Sequence, residues 1–521
     1  MSYYAQLFFA TLPETVLEIA ALVVLVVDLA FLRKAELKVR ALSASLLGVL
    51  GCAVALWAQF FAIGTKGVWG FGIADTNSLL LANIDSAAAA QSGILVLTAL
   101  TLLLLIDTRF TRHVGEFVAV VLMSAAGGLL ISAAQDLLII FLGLELLSLG
   151  LYILTAFAKQ SGRSAESAIK YYLFGGMSAA FLLFGFSYLY GITGSTNLQQ
   201  VMQAIHHSNG PSLDPLLLIA MVMIAAGLGF KVAAVPFHLW APDTYEGAPA
   251  PGAAFIASVS KVASFALLIS ISLAGAEAQQ AWNSPHEGFS GPWTVALAVM
   301  SLASMLFGNL AALAQISVRR LLAYSTIAHA GYMLLGLAYF NYNPSAEFQG
   351  AIGYRGATAI LYYILTYGLT TVGAFGVVGV VERATGSDRM DAFLGLHKRN
   401  PLLAATLLVF FLSLAGIPPL VGFWAKFNLF AVVLSVGAGK IPFALVALAV
   451  MLSAVSLYYY LQVLKRAFVM PAAADPAGRA EKITPHPITM LVLLAIAAAV
   501  VVMGCFPSLL QNWIASFYLK L

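Results

Sequence analysis

Gly229-Phe230-Lys231-Val232-Ala233-Ala234-Val235-Pro236-Phe237-His238-Leu239-Trp240-Ala241-Pro242 lies between two apolar segments, the second of which carries Lys261. Both lysines sit in sequence hydrophobic enough to cross a bilayer. A charge at the centre of a membrane helix costs about 2.5–3.5 kcal/mol on insertion scales, so such residues are rare and usually have a use. Pro236, five residues after Lys231, cannot donate a helical hydrogen bond and is expected to break or kink the first segment beside that charge. A broken helix with a charge at its break is an arrangement that ion-handling membrane proteins build.

The rest of the chain has the same character. Of its 521 residues 61% are hydrophobic and 9% charged, and the mean hydropathy is +0.94, whereas soluble domains carry roughly 25% charged residues. The composition specifies an all-α polytopic membrane protein, a single transmembrane domain over residues 1–521 with no soluble domain. Met1 to Pro13 lacks a basic start, and the apolar run that follows reaches Leu32 without a small-residue cleavage site, which reads as a retained first span rather than a signal peptide. Cys52 and Cys505 each lie in an apolar segment and are expected to be small buried side chains, not a disulfide or metal framework.

Windows of about 20 apolar residues give fourteen spans. They are Thr15 to Leu32, Leu42 to Ile63, Ala87 to Ile106, Phe117 to Ala134, Leu137 to Ala158, Ala168 to Tyr190 and Leu216 to Val235. The second half gives Ala253 to Leu273, Trp293 to Ala314, Leu321 to Phe340, Thr358 to Val381, Leu402 to a break near Gly416, Ile441 to Leu464, and Ile488 to Phe506.

Loop charges test that count through the positive-inside rule. With Arg33 to Arg40 placed in the cytoplasm, the loops on that side hold eighteen basic residues: Arg33, Lys34, Lys38, Arg40, Arg109, Arg112, Lys159, Arg163, Arg319, Arg320, Arg383, Arg389, Lys398, Arg399, Lys465, Arg466, Arg479 and Lys482. The opposite side holds only Lys66, Arg355, Lys440 and Lys520. The bias puts both termini outside and accounts for the formal charge of +4 as topology rather than a nucleic-acid patch. One cytoplasmic loop, Pro236 to Gly252, has no basic residue and carries Asp243 and Glu246.

Four basic residues remain inside spans: Lys170, Lys231, Lys261 and Lys426. Glu145 is the carboxylate nearest the middle of a span, whereas Glu14, Glu18 and Asp28 lie nearer the ends of the first, where water is within reach. A second interruption, Gly416-Ile417-Pro418-Pro419-Leu420-Val421-Gly422, stands just before Lys426, and two consecutive prolines cannot continue a regular helix. Spans seven and twelve are therefore both discontinuous beside a lysine, five spans apart. Matching interruptions indicate an internal repeat, spans four to eight (117–273) against nine to thirteen (293–464), inverted because five is odd.

Burial disfavours the charged form of a lysine and a nearby carboxylate restores it. A group held between those terms can exchange protons, which is what a relay needs. Glu145 paired with one lysine would be switchable, Lys261 and Lys426 would pass protons onward, and His329 is a candidate link because histidine titrates in the useful range. Each has a plainer reading. Lys170 and Lys231 are near enough to the cytoplasmic surface to snorkel, His329 suits an interhelical hydrogen bond, His206 and His207 suit a solvated outer loop, and the breaks suit packing kinks. No phosphate loop, dinucleotide fingerprint, cysteine cluster or paired-histidine metal spacing is present in the sequence. Any redox or ATP chemistry would have to come from other subunits.

Val235-Pro236-Phe237-His238-Leu239-Trp240-Ala241-Pro242-Asp243-Thr244-Tyr245-Glu246-Gly247-Ala248-Pro249 with Ser258-Val259-Ser260-Lys261, Arg319-Arg320-Leu321-Leu322-Ala323-Tyr324-Ser325-Thr326-Ile327-Ala328-His329-Ala330-Gly331-Tyr332, and Gly416-Ile417-Pro418-Pro419 closely resemble the antiporter-like membrane subunits of respiratory complex I, the NADH:quinone oxidoreductase. The Tyr245-Glu246-Gly247-Ala248-Pro249 run and the loop Asp391 to Pro401 look like the subunit N branch. The likeness extends over essentially the whole chain. It implies fourteen spans in two inverted five-helix repeats, spans seven and twelve discontinuous at Pro236 and at Pro418-Pro419, and proton-channel residues Glu145, Lys170, Lys231, Lys261 and Lys426. Lys426 argues against the subunit M branch, which is expected to carry a glutamate there, and the absence of a long lateral helix argues against subunit L.

The implied function is proton translocation in the membrane arm, in a bacterial inner membrane. NADH, FMN, iron–sulfur clusters and quinone would be handled by other subunits, and no cofactor or metal by this one. The implied partners are subunit M, the small subunits K, J, A and H, and membrane lipid, with no nucleic acid. A cation/proton antiporter subunit of the Mrp type and a purely structural scaffold are the alternatives.

Overall fold

The computed structural model describes residues 11–64, 84–107, 110–207, 215–281, 290–339, 350–436, 440–471 and 482–518. Lys66, Arg109, Arg479 and Lys520 of the loop-charge comparison lie outside them, as do the side chains of Arg355, His206 and His207. Nineteen α-helices occur among the described residues: α1 (Leu12–Val26), α2 (Leu37–Gly64), α3 (Ile84–Leu104), α4 (Val114–Ala133), α5 (Leu137–Thr155), α6 (Gly162–Thr193), α7 (Leu198–His207), α8 (Pro215–Val232), α9 (Trp240–Gly247), α10 (Ala250–Ala281), α11 (Ser290–Leu313), α12 (Val318–Ala338), α13 (Gly350–Thr385), α14 (Leu396–Arg399), α15 (Pro401–Ala415), α16 (Val421–Val436), α17 (Lys440–Phe468), α18 (Pro487–Cys505) and α19 (Pro507–Tyr518). In hydrocarbon every backbone polar group must be satisfied within its own segment, which is why so apolar a chain resolves into helices.

Among the described residues twelve helices are long and apolar enough to span a membrane, and α15 and α16 are two shorter apolar pieces separated by the Gly416–Leu420 break. Helix α1 continues in π-helical geometry over Val27–Phe31. The innermost helices are α10, α12 and α13, with 94%, 94% and 89% of their apolar windows buried, whereas only 28% of the α17 window is. Lys261 and His329 thus belong to the central helices, out of reach of lipid.

Four sequence expectations change. Span seven ends at Val232 rather than Val235, and the segment expected as loop from Pro236 to Gly252 contains α9. The break at Ala233–Leu239 therefore separates two helical pieces, and the peptide bonds before Pro236 and Pro419 are both cis. Asp28 does not reach water. It is 1% exposed and holds Arg40 by two hydrogen bonds of 2.8 and 2.6 Å, tying the end of α1 to α2. Cys52 is buried as expected, but Cys505, at the last residue of α18, is exposed. The backbone of His206 and His207 is helical, within α7.

One local arrangement occurs twice in the chain. Helix α6 ends at Thr193-Gly194-Ser195-Thr196-Asn197 and α13 at Thr385-Gly386-Ser387-Asp388-Arg389. Gly194 and Gly386 have φ of 71° and 72°, a left-handed conformation in which a side chain would be strained. In both, the threonine hydroxyl accepts from the serine N–H two residues on, at 3.4 Å. Each segment then pairs antiparallel with the residues before another helix, Asn197 with Asp136 and Arg389 with Ser317. Asp136 caps α5 and accepts from Thr196 at 2.6 Å, and Ser317 caps α12 and donates to Asp388. The same loop-to-cap clasp thus joins the sixth span to the fifth and the eleventh to the tenth.

Candidate functional site

The site is organised by two helix ends stranded inside the protein. The last carbonyls of a helix have no intrahelical partner and carry the negative end of its dipole. At the end of α8, the Phe230 carbonyl accepts from the Trp240 indole at 2.9 Å, and the Lys231 carbonyl accepts from the ammonium of Lys261 at 3.3 Å. At the end of α15, the Leu414 and Ala415 carbonyls accept from the ammonium of Lys426 at 3.1 and 3.0 Å. The proline breaks create the free carbonyls, and a lysine from an adjoining helix meets each set. Lys261 and Lys426 also lie over aromatic rings, Trp240 at 5.3 Å and Tyr332 at 5.5 Å. Such contacts gain strength when water is excluded.

The Lys231 side chain turns the other way. It is 8% exposed, so the snorkelling reading does not hold, and its ammonium donates to Ser148 Oγ of α5 at 2.5 Å. Ser148 in turn donates to the Leu144 carbonyl. Lys426 has a third partner, Ser453 Oγ of α17, at 2.8 Å.

Among the described residues Glu145 forms no ion pair within 4 Å, so its coupling to a lysine is through space, to Lys231, rather than by contact. It is half-buried, on a stripe of α5 whose other members, Leu138, Leu142, Leu149 and Ile153, are exposed. Ser148 stands one helical turn away, so the carboxylate and the lysine ammonium that Ser148 holds are neighbours along α5.

His329 is 3% exposed, and its Nδ1 pairs with the Tyr363 hydroxyl of α13 at 2.7 Å. That is the interhelical bond of the plainer reading. The imidazole also faces the Leu414 backbone and, with Ser413, Leu414 and Gly422, borders a small cavity beside the α15 break. Tyr367, 4.8 Å from the imidazole centre to centre, donates to Thr326 at 2.7 Å. Among the described residues no hydrogen bond joins Lys231 or Lys261 to the His329 and Lys426 cluster.

Lys170 is not brought to this buried line. Its side chain is 42% exposed and its ammonium pairs with Glu166 at 2.7 Å and Asp243 at 2.9 Å. Asp243 and Glu246 also hold Arg320 at 2.7 and 3.0 Å, and Glu246 faces Arg163 at 3.4 Å. The loop that carries acids and no basic residue is thus neutralised by bases from α6 and α12. Burial would push the Asp243 carboxyl up, but hydrogen bonds from Lys170 and Arg320 outweigh it and hold the group below the usual carboxylate range.

Residues 134–453 match the family model described as NADH:quinone oxidoreductase/Mrp antiporter, TM. The chain is 44% identical to NADH-quinone oxidoreductase subunit N 2 of Acidobacterium capsulatum, over 98% of this chain and 99% of that one. It superposes on a chain of respiratory complex I from Thermus thermophilus with a TM-score of 0.73 and 31% identity, covering 96% of this chain and 98% of that chain. A chain of the Mrp complex from Dietzia sp. has the same fold, with a TM-score of 0.74 and 21% identity over 97% of each. With full-length identity at this level, the chain belongs to the NADH-quinone oxidoreductase subunit N family of multi-pass, antiporter-like membrane proteins.

Proposed function

We propose that this chain is a proton-translocating membrane-arm subunit of an NADH:quinone oxidoreductase, and that Lys231, Lys261, His329 and Lys426 carry the protons. The observation that supports this best is the placement of Lys261 and Lys426 on the open carbonyl ends of two broken helices. There the helix dipole favours the ammonium while the dry surroundings oppose it, so a modest change in a neighbouring charge is enough to release a proton. Glu145 is positioned to supply that change to Lys231. Lys170 and Asp243 act at the surface end of the same assembly.

The excess of basic residues in alternate loops supports cytoplasmic placement of the Arg33–Arg40 side, both termini on the outer side, and a bacterial inner membrane. Redox chemistry with NADH, FMN, iron–sulfur clusters and quinone falls to other subunits, and subunit M and the small subunits K, J, A and H are the proposed neighbours. An Mrp-type antiporter subunit is the competing reading, because that fold is shared. Purification of the tagged chain from its own membranes separates them. The expected result is co-purification with NADH:quinone reductase activity and no sodium/proton exchange by the chain alone in vesicles. Exchange by the chain alone, with no associated reductase, overturns the assignment.

A further inference from the structure

A cavity of about 450 Å³ opens among the helix ends on the side rich in basic loops. Its walls carry Arg163, Arg319, Arg383, Asp107, Glu246 and Glu382, and these are mutually neutralised. Arg163 faces Glu246, Arg319 pairs with Glu382, and Arg383 pairs with Asp107. A cavity whose charges cancel offers little to an anion or a cation, but it wets readily. Two buried polar atoms on its lining, Arg319 Nε and Thr489 Oγ1, have no protein partner, and such groups are ordinarily met by water.

Phe375 is the lining residue of α13 farthest from the end of that helix. It lies ten residues before the end of α13 at Thr385, about 15 Å along the helix, and is itself 0% exposed. Beyond the ring the chemistry becomes polar again. Tyr245 stands edge-on to Phe375 with ring centres 5.8 Å apart. The Tyr245 hydroxyl lies beside Thr326 and Tyr367. Thr371, one turn from Phe375 on the same face of α13, is 1% exposed and lies beside the Tyr367 hydroxyl. From there the bond from Tyr367 to Thr326 leads to the ring of His329. Polar groups therefore lie on both sides of a single dry aromatic ring, unpartnered on the cavity side and joined to one another on the inner side.

We propose that Phe375 is the septum between a water-filled vestibule and the buried hydroxyl row Tyr245, Thr326, Tyr367 and Thr371, and that protons taken up from that side pass it to reach His329. This rests on the translocation reading and adds an uptake route to it. Phe375 acts by excluding water, and moves no proton itself.

The test uses the intact complex in sealed vesicles. Phe375→Ala is expected to retain NADH oxidation, to speed the decay of an imposed pH gradient several-fold, and to lower the protons pumped per NADH. Phe375→Leu, still bulky and apolar, is expected to stay within about twofold of the parent, by analogy with volume-conserving core changes. A gradient as tight in Phe375→Ala as in the parent overturns the proposal. If that variant does not assemble, cysteines decide in a chain with Cys52 and Cys505 replaced by serine. Val380→Cys, on the cavity wall, is expected to react with a membrane-impermeant thiol reagent from the basic side, and Thr371→Cys to stay unmodified. Equal reactivity of the two, or none at Val380→Cys, overturns it. Should Lys261→Ala leave pumping intact, the translocation reading fails independently of either result.

Discussion

The ammonium of Lys261 lies 3.3 Å from the backbone carbonyl of Lys231, so one buried lysine closes the end of the helix that carries the other. Any rearrangement of the break between Ala233 and Leu239 moves both charges together. Lys426 does the same for α15, with the difference that it comes from the helix that follows its own break.

Ser148 is the partner that sequence reading passed over. Ser148→Ala leaves the buried Lys231 ammonium without its acceptor, at a cost of about 1.5–3 kcal/mol for a hydrogen bond to a charged group. The expected result is a lowered thermal midpoint and slowed pumping, with Ser148→Thr closer to the parent. An unchanged midpoint in Ser148→Ala would show that Lys231 finds another partner.

Lys170 and Lys261 should not behave alike. Lys170→Ala removes a half-exposed member of an ion-pair belt that Arg320 continues to hold. Pumping is expected to stay within about twofold, since exposed pairs contribute little. Because Asp243 is held below its ordinary range, its contribution is complete above the unfolded carboxyl value of about 3.9 and is lost only as the pH falls through the lower folded value. Asp243 therefore does not titrate between pH 5 and 8, and a pumping profile that shifts within that window in Asp243→Asn would contradict this.

Gly194→Ala and Gly386→Ala each force a side chain into the left-handed region, at about 1–2 kcal/mol. If the two clasps are equivalent, the losses in thermal midpoint should match. Gly191→Ala, on the same helix as Gly194 with open space around it, should be neutral or slightly stabilising.

Arg319→Ala strands Glu382 and the Glu246 and Ala248 carbonyls. Breaking a buried charge pair in this way costs about 3–5 kcal/mol. The expected result is loss of the chain from assembled complex on native gels, with Arg319→Lys partly restoring it. Normal assembly of Arg319→Ala would show the clamp to be dispensable.

What the sequence made legible, and what it did not, follows from length scale. Apolar windows about a membrane thickness long and the prolines of two breaks are local signals, so helix identities and both discontinuities were readable. Lys231, Lys261 and Lys426 stood out because a charge in an apolar window is conspicuous by itself. The partners were not readable, because Ser148 meets Lys231 across 83 residues of chain and Tyr363 meets His329 across 34. The surroundings of Lys170 and Glu145 were hidden for the same reason. An apolar window marks depth along a helix but not the face, and Lys170 lies near a helix start beside Asp243 while Glu145 lies on the outer stripe of α5. One signal was present in the sequence and unread. Thr193-Gly194-Ser195 recurs as Thr385-Gly386-Ser387 at the equivalent point of each unit.

The most direct test of translocation through the buried lysines is the number of protons pumped per NADH oxidised by purified complex in sealed vesicles, compared between the parent and Lys261→Ala. Assembly and quinone reduction are to be retained, with pumping reduced to less than about a tenth through this subunit's share, because Lys261 supplies the buried ammonium that meets the Lys231 carbonyl at the end of α8. A parent-like ratio in an assembled Lys261→Ala complex would contradict proton passage by this route.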